Sequence, residues 1–215
     1  MNLNLKSQVF ASALFALGLS VTALAQNMAP ASTPAPASAT GNQGLLGTTY
    51  AGAEFGYTHH IEGSPDVLRR YGFVYNQPLP EGLDFTFKYD HLTGSELGNR
   101  AYSNGFSLGL TGYVPQTWGK PFLSGDIGWV FAKSAGVKDD SFAYTVKTGV
   151  EFQVLPSLVI IPYVAYTEAP HFGDRGWKYG AKGVYRFTRQ WSGALGAQID
   201  EPHNLEYTVG VNFHY

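Results

Sequence analysis

From about residue 48 to the end of the chain, apolar and polar positions alternate with the period of two that marks a strand with unlike faces. Leu83, Phe85, Phe87 and Tyr89 fall on one side, and Asp84, Thr86, Lys88 and Asp90 on the other. The last residues repeat the pattern, with Leu205, Tyr207, Val209, Val211, Phe213 and Tyr215 against Glu206, Thr208, Gly210, Asn212 and His214. No helical period fits either stretch. The same test predicts about ten strands, near residues 48–60, 68–77, 83–91, 102–114, 121–132, 141–154, 158–168, 176–187, 191–200 and 205–215. An even count is what a closed antiparallel up-and-down β-barrel with both ends on one side requires, and about eight strands is the alternative. The stretch LVIIPYVAYTEA is apolar on both faces and carries Pro162, which lacks a ladder donor, so a bulge or irregular strand is expected there.

The faces differ in which one takes the charges. One face carries Tyr71, Phe73, Leu108, Ile127, Trp129 and their like, with no ionised residue. The other holds Glu54, Arg70, Asp84, Lys88, Asp126, Lys147, Glu151, Lys178, Lys182, Arg186 and Glu206, interleaved with glycines. A soluble barrel would put its polar face in water and enrich it in charge rather than glycine. An apolar face with aromatics near the strand ends instead fits a transmembrane barrel, its rings at headgroup level and its polar face enclosing a lumen.

Composition agrees. Only 14% of residues are charged while 15% are aromatic, and there are 26 Gly and no Cys. This excludes a disordered chain, a disulfide framework and Cys-ligated zinc. A formal net charge of -2 gives no basic excess for a nucleic-acid partner. Residues 1–25 have a short polar start with Lys6, an apolar run and a small-residue Ala23-Leu24-Ala25 site, the pattern of a cleavable secretory signal peptide. Residues 26–46, rich in Ala, Pro, Ser and Thr, are expected to be a disordered linker, and 47–215 to form the barrel.

The chain ends T-V-G-V-N-F-H-Y, with Thr208, Gly210, Phe213 and Tyr215 in the register of a final strand. This resembles the terminal assembly signal of bacterial outer-membrane β-barrel proteins, and the architecture resembles the small barrels of OmpA, OmpX and Opa type. The resemblance implies Sec export, insertion by the barrel-assembly machinery, a place in the outer membrane of a Gram-negative bacterium with both termini periplasmic, and lipid and lipopolysaccharide as surroundings. QPLPEG, PQTWGK, LPS and TRQ are then periplasmic turns, and the regions near HIEGSPD, LTGSELGNR, KSAGVKDD, APHFGDR and DEPHN are outer loops.

Candidate chemistry is sparse. His59, His60, His91, His171 and His203 map to the outer ends of strands beside carboxylates that include Asp90, Asp139, Asp140 and Glu168, a setting able to gather a divalent metal. The plainer reading is that outer loops are polar. Asp139, Asp140, Glu168, His171 and Asp174 faintly echo the rim site of omptin proteases, and His91, Thr93 and Ser95 are the nearest approach to a lipid A hydrolase pairing. Neither amounts to a catalytic constellation, and no cofactor motif is present. The expected function is therefore a non-enzymatic barrel, structural or adhesive, or a narrow pore. A lumen of paired charges suits a filled interior, and its Lys178, Lys182 and Arg186 wall would favour small anions. A rim hydrolase and metal capture are the alternatives, and the extracellular ligand is unspecified.

Overall fold

The computed structural model describes residues 44–60, 68–96, 99–134, 137–172, 174–201 and 204–215. The signal segment, nearly all of the linker, the loop containing Glu62 and Asp66, and His203 lie outside the described residues. Among the described residues ten strands form: β1 (Tyr50–His60), β2 (Leu68–Leu79), β3 (Leu83–Glu96), β4 (Asn99–Tyr113), β5 (Lys120–Ser134), β6 (Val137–Leu155), β7 (Leu158–Ala169), β8 (Asp174–Arg186), β9 (Trp191–Asp200) and β10 (Asn204–His214). Each pairs antiparallel with its neighbours in sequence, and β10 pairs with β1, so the sheet closes without a free edge.

Closure follows from the alternation. With every odd position of β3 and every even position of β4 on one face, the apolar rows of neighbouring strands align in register, as at Phe87↔Leu108 and Leu108↔Ile127. That continuous row is the exterior: Leu108 is 47% exposed, Ile127 48% and Leu195 68%. Residues this apolar and this uncovered form the band a bilayer-spanning barrel presents to lipid. Aromatic pairs ring it toward the end that carries the C terminus, where Trp191 packs on Phe213 at 4.9 Å and Phe213 stacks on Tyr215 at 5.9 Å between centroids. Around the opposite end, exterior aromatics take polar partners. Trp129 donates its indole N–H to Asp140 at 2.8 Å, and the Tyr144 and Tyr166 hydroxyls both donate to Glu168. This is the amphipathic role tyrosine and tryptophan play at a membrane interface.

The strands run farther from the terminal end than alternation indicates. β3 continues to Glu96, and β6 begins at Val137, so Asp139 and Asp140 belong to a strand rather than to a loop. Thr93, Gly94 and Ser95 remain extended although their sequence no longer alternates, because the ladder to β4 persists after the hydrophobic demand on one face has ended. The connections at the terminal end are tight. Between β2 and β3, Glu81 and Gly82 both have positive φ, 66° and 76°, the left-handed pair that suits a hairpin's twist. The β6–β7 ladder is irregular where expected: no pair forms opposite Pro162, and the register shifts by one residue between Gln153 and Leu155.

The interior has three layers. At the terminal end Leu45, Tyr50, Phe122, Val159, Ile161, Val184 and Ala194 form an apolar floor. This explains why β7 is apolar on both faces, since Val159 and Ile161 face inward onto that floor. A charged belt and a set of buried hydroxyls, including Thr111, Ser124, Thr145 and Thr167, fill the middle. At the far end Val130, Ala143 and Ala169 pack against Phe172 of the 3₁₀ turn Pro170–Phe172. Leu45 and Leu46 were expected in the linker but belong to the barrel unit, because they lie within or against the floor.

Leu108→Arg, in the middle of the exterior band, is expected to lower stability in lipid vesicles by about 2–4 kcal/mol, and Val114→Arg, just past the end of β4, by only about 0–1 kcal/mol. Denaturant titrations of the two variants check this, and equal losses would contradict a depth-dependent hydrocarbon exterior.

Candidate functional site

All the charged side chains predicted for the polar face turn inward, and the sheet register brings most of them into three groups. The first centres on Arg70. Its Nε donates to Glu206 at 2.9 Å, its Nη1 to Asp90 at 3.0 Å, and its Nη2 lies 3.5 Å from Glu54. Lys182 pairs with the other oxygen of Glu54. Gln198 donates to Glu206 at 2.6 Å and accepts from the Tyr163 hydroxyl at 2.8 Å, which extends the network across the lumen. Gly180 makes the crossing possible, because a side chain there would meet the Tyr163 ring. Asp90 belongs to this network rather than to the rim cluster in which the sequence reading placed it. Its parity with Asp84 and Lys88 is the signal that marks it as a lumen residue.

The second group is Lys88 with Asp126, whose carboxylate occupies the space above Gly109. The third lies at the terminal end of the lumen. Glu151 accepts the backbone N–H groups of Leu45 and Leu46 at 2.8 and 3.1 Å and pairs with Lys120 at 2.9 Å. Asp84 accepts from Gly47 N–H at 2.9 Å and from Asn76 at 3.1 Å, while Lys120 donates to the Leu46 carbonyl at 2.9 Å. Two carboxylates and one ammonium thus hold a short piece of backbone inside the barrel. Lys120 lies next to a turn, and neither it nor the Leu45–Gly47 backbone carries a periodic signal that sequence reasoning could use.

Three predicted residues have other surroundings, and Lys147 lies over the Tyr163 and Phe122 rings. Lys178 is buried opposite Asp200 in the β8–β9 register. Arg186 meets His214, the histidine not assigned to the rim, with Nη2 2.6 Å from Nδ1. The same Nη2 lies 3.2 Å from Nε2, which is 2.9 Å from Ser192 Oγ.

The rim histidines do not converge. His59 is exposed on the exterior parity of β1, and His91 lies on the exterior parity of β3, with Nδ1 2.9 Å from Asn104 Oδ1. His171 sits 3.1 Å from Asp139 in the open. Among the described residues no group of three His, Cys, Asp or Glu is placed to hold a metal, and His91 and His171 meet Asn104 and Asp139. The side chain of His60 and the whole of His203 are outside the described residues. Of the terminal motif, Thr208 and Gly210 face the lumen, while Phe213 and Tyr215 join the exterior aromatic ring.

Between the floor and the Arg70 network lies a cavity of about 220 Å³. Arg70, Lys88, Lys147, Lys178 and Lys182 line it, against only three carboxylates, Glu54, Asp84 and Asp90.

No protein family model and no curated protein matches the chain. Among solved structures, its neighbours are outer-membrane β-barrel proteins. The NanC porin aligns with a TM-score of 0.45 at 9% identity over 76% of this chain and 98% of its own. Neisserial surface protein A aligns at 0.42 and 14% over 78% and 96%, and the outer membrane protein OprG of Pseudomonas aeruginosa at 0.43 and 9% over 80% and 98%. The architecture itself stands on the chain's own closed ladder.

Replacing Arg70 by Met removes the cation shared by Glu54, Asp90 and Glu206, leaving Glu54 to Lys182 and Glu206 to Gln198, and is expected to cost about 3–5 kcal/mol, the scale for breaking a buried ion pair. Equilibrium unfolding measures it, and a loss below about 1 kcal/mol, the range of a solvated surface pair, would contradict a tightly packed network.

Proposed function

We propose that the chain is a non-enzymatic outer-membrane barrel whose lumen is a narrow conduit, shut at its periplasmic mouth by the segment that precedes β1. One observation carries this reading: Leu45–Gly47 dock inside the mouth, with the N–H groups of Leu45 and Leu46 donating to Glu151, that of Gly47 to Asp84, and the Leu46 carbonyl accepting from Lys120. A barrel that needed only a filled interior could use its own strand side chains, as small barrels do. Here the floor is completed by a segment outside the sheet. That segment continues into an uncharged Ala, Pro, Ser and Thr-rich stretch, which is suited to a tether and not to a further layer of packing.

The lumen wall suits passage of small polar solutes more than catalysis. Its charges are mostly paired, so they can stay ionised in a confined space, and Lys147, which among the described residues holds no carboxylate, favours anions. The exterior band and the aromatic rings at both ends support placement across the outer membrane. The resemblance of the final strand to an assembly signal supports the same placement, with both termini in the periplasm.

Deleting residues 26–48 behind the intact signal segment is expected to yield a folded barrel that conducts in discrete steps in planar bilayers, with anions preferred, where the full-length chain is silent. Glu151→Gln should conduct intermittently. A truncated barrel that folds and passes no current would overturn the conduit and leave a purely structural or adhesive barrel.

A further inference from the structure

Lys147 differs from the other lumen lysines. Lys88 and Lys182 each hold a carboxylate, yet among the described residues Lys147 makes no ion pair. Its ammonium lies 5.5 Å from the centre of the Tyr163 ring and 6.0 Å from that of Phe122. Those rings give it a cation–π setting, which is a weaker partner than a carboxylate. Lys88 and Lys182 act on it as like charges, and Asp126 and Glu54, each already paired, as opposite ones. A cation held near two others, within the lumen and without a carboxylate of its own, is costly unless an anion arrives to meet it.

The surroundings define what that anion is. Lys147 stands at the boundary between two layers of the same cavity. On one side is the apolar floor of Leu45, Tyr50, Phe122 and Ile161, and on the other is the charged belt. A fully hydrated inorganic ion would leave that floor uncovered. Lys88, Arg70 and Lys182 already meet Asp126, Glu206 and Glu54, which leaves Lys147 without a carboxylate and suits a singly charged ligand better than a polyanion that must also pass Glu54, Asp84 and Asp90. The cavity of about 220 Å³ has space for roughly seven waters, so the ligand is small.

We propose that the lumen holds a binding site for a small monocarboxylate with an apolar body, its carboxylate on Lys147 beside Lys88 and Lys182 and its body on the Leu45–Tyr50–Phe122–Ile161 floor. The site deepens the conduit reading, on which it rests only for how the ligand reaches the lumen. Binding itself belongs to the intact, closed chain. Leu45 is part of the floor, so the segment that shuts the mouth also completes the site.

Calorimetric titration of the folded full-length barrel with benzoate, and with benzamide as the neutral isostere, tests the proposal. Saturable binding of benzoate and none of benzamide is expected. Lys147→Met should weaken benzoate by about tenfold or more, the loss of a charge-assisted hydrogen bond, and Lys147→Arg should keep most of it. A crystal soaked with 4-bromobenzoate should place its bromine over the floor. Equal binding of benzamide, undiminished binding by a folded Lys147→Met barrel, or bromine only on the exterior would overturn the site. If Lys147→Met does not fold, the benzoate and benzamide contrast and the bromine position decide on the native chain. Conductance of the truncated barrel without benzoate binding by the native chain would refute the site and leave the conduit. Benzoate binding beside a silent truncated barrel would refute the conduit and leave the site.

Discussion

An ionised side chain cannot face hydrocarbon at an acceptable cost, and nearly every feature of this barrel depends on that exclusion. Because the strands alternate, removing charge from one face concentrates it on the other, and closure of the sheet turns that other face into a confined interior. Charge confined there must be paired. Arg70 answers this by gathering Glu54, Asp90 and Glu206 from three different strands, so that one guanidinium ties β1, β2, β3 and β10 together around the closing seam. The network thus stabilises the place where the first and last strands meet, the join that no hairpin connects.

The fold was legible in the sequence because its cause is periodic. Each strand was predicted to within a few residues wherever one face had to be apolar. Prediction fell short where that demand ends, so β3 and β6 run past the expected limits at Thr93–Glu96 and Val137–Asp140. The same reasoning explains Asp90. It lies at the end of an alternating run and reads as a loop residue by position, yet as a lumen residue by parity, and parity is the stronger physical constraint.

The site was legible only in part. Parity identified the lumen charges but could not say which of them pair, because pairing depends on barrel register and on strands distant in sequence. It could not separate Lys147, which lacks a carboxylate, from Lys88 and Lys182, which have one. Leu45 and Leu46 escaped notice for another reason. Two adjacent leucines carry no period, and their anchors are backbone N–H groups, which every residue except proline possesses. His214 shows the same limit, since its partner Arg186 lies on another strand.

The chain contains no cysteine, so single cysteines can be introduced and spin-labelled one at a time without a background. Along β3 in lipid vesicles, collision rates with dissolved oxygen and with a water-soluble nickel complex measure directly which face meets the bilayer. The account predicts high oxygen and low nickel access at Phe85, Phe87 and Tyr89, and low access to both at the intervening positions Thr86 and Lys88. Equal access at both parities, or nickel access at the phenylalanines, would contradict it.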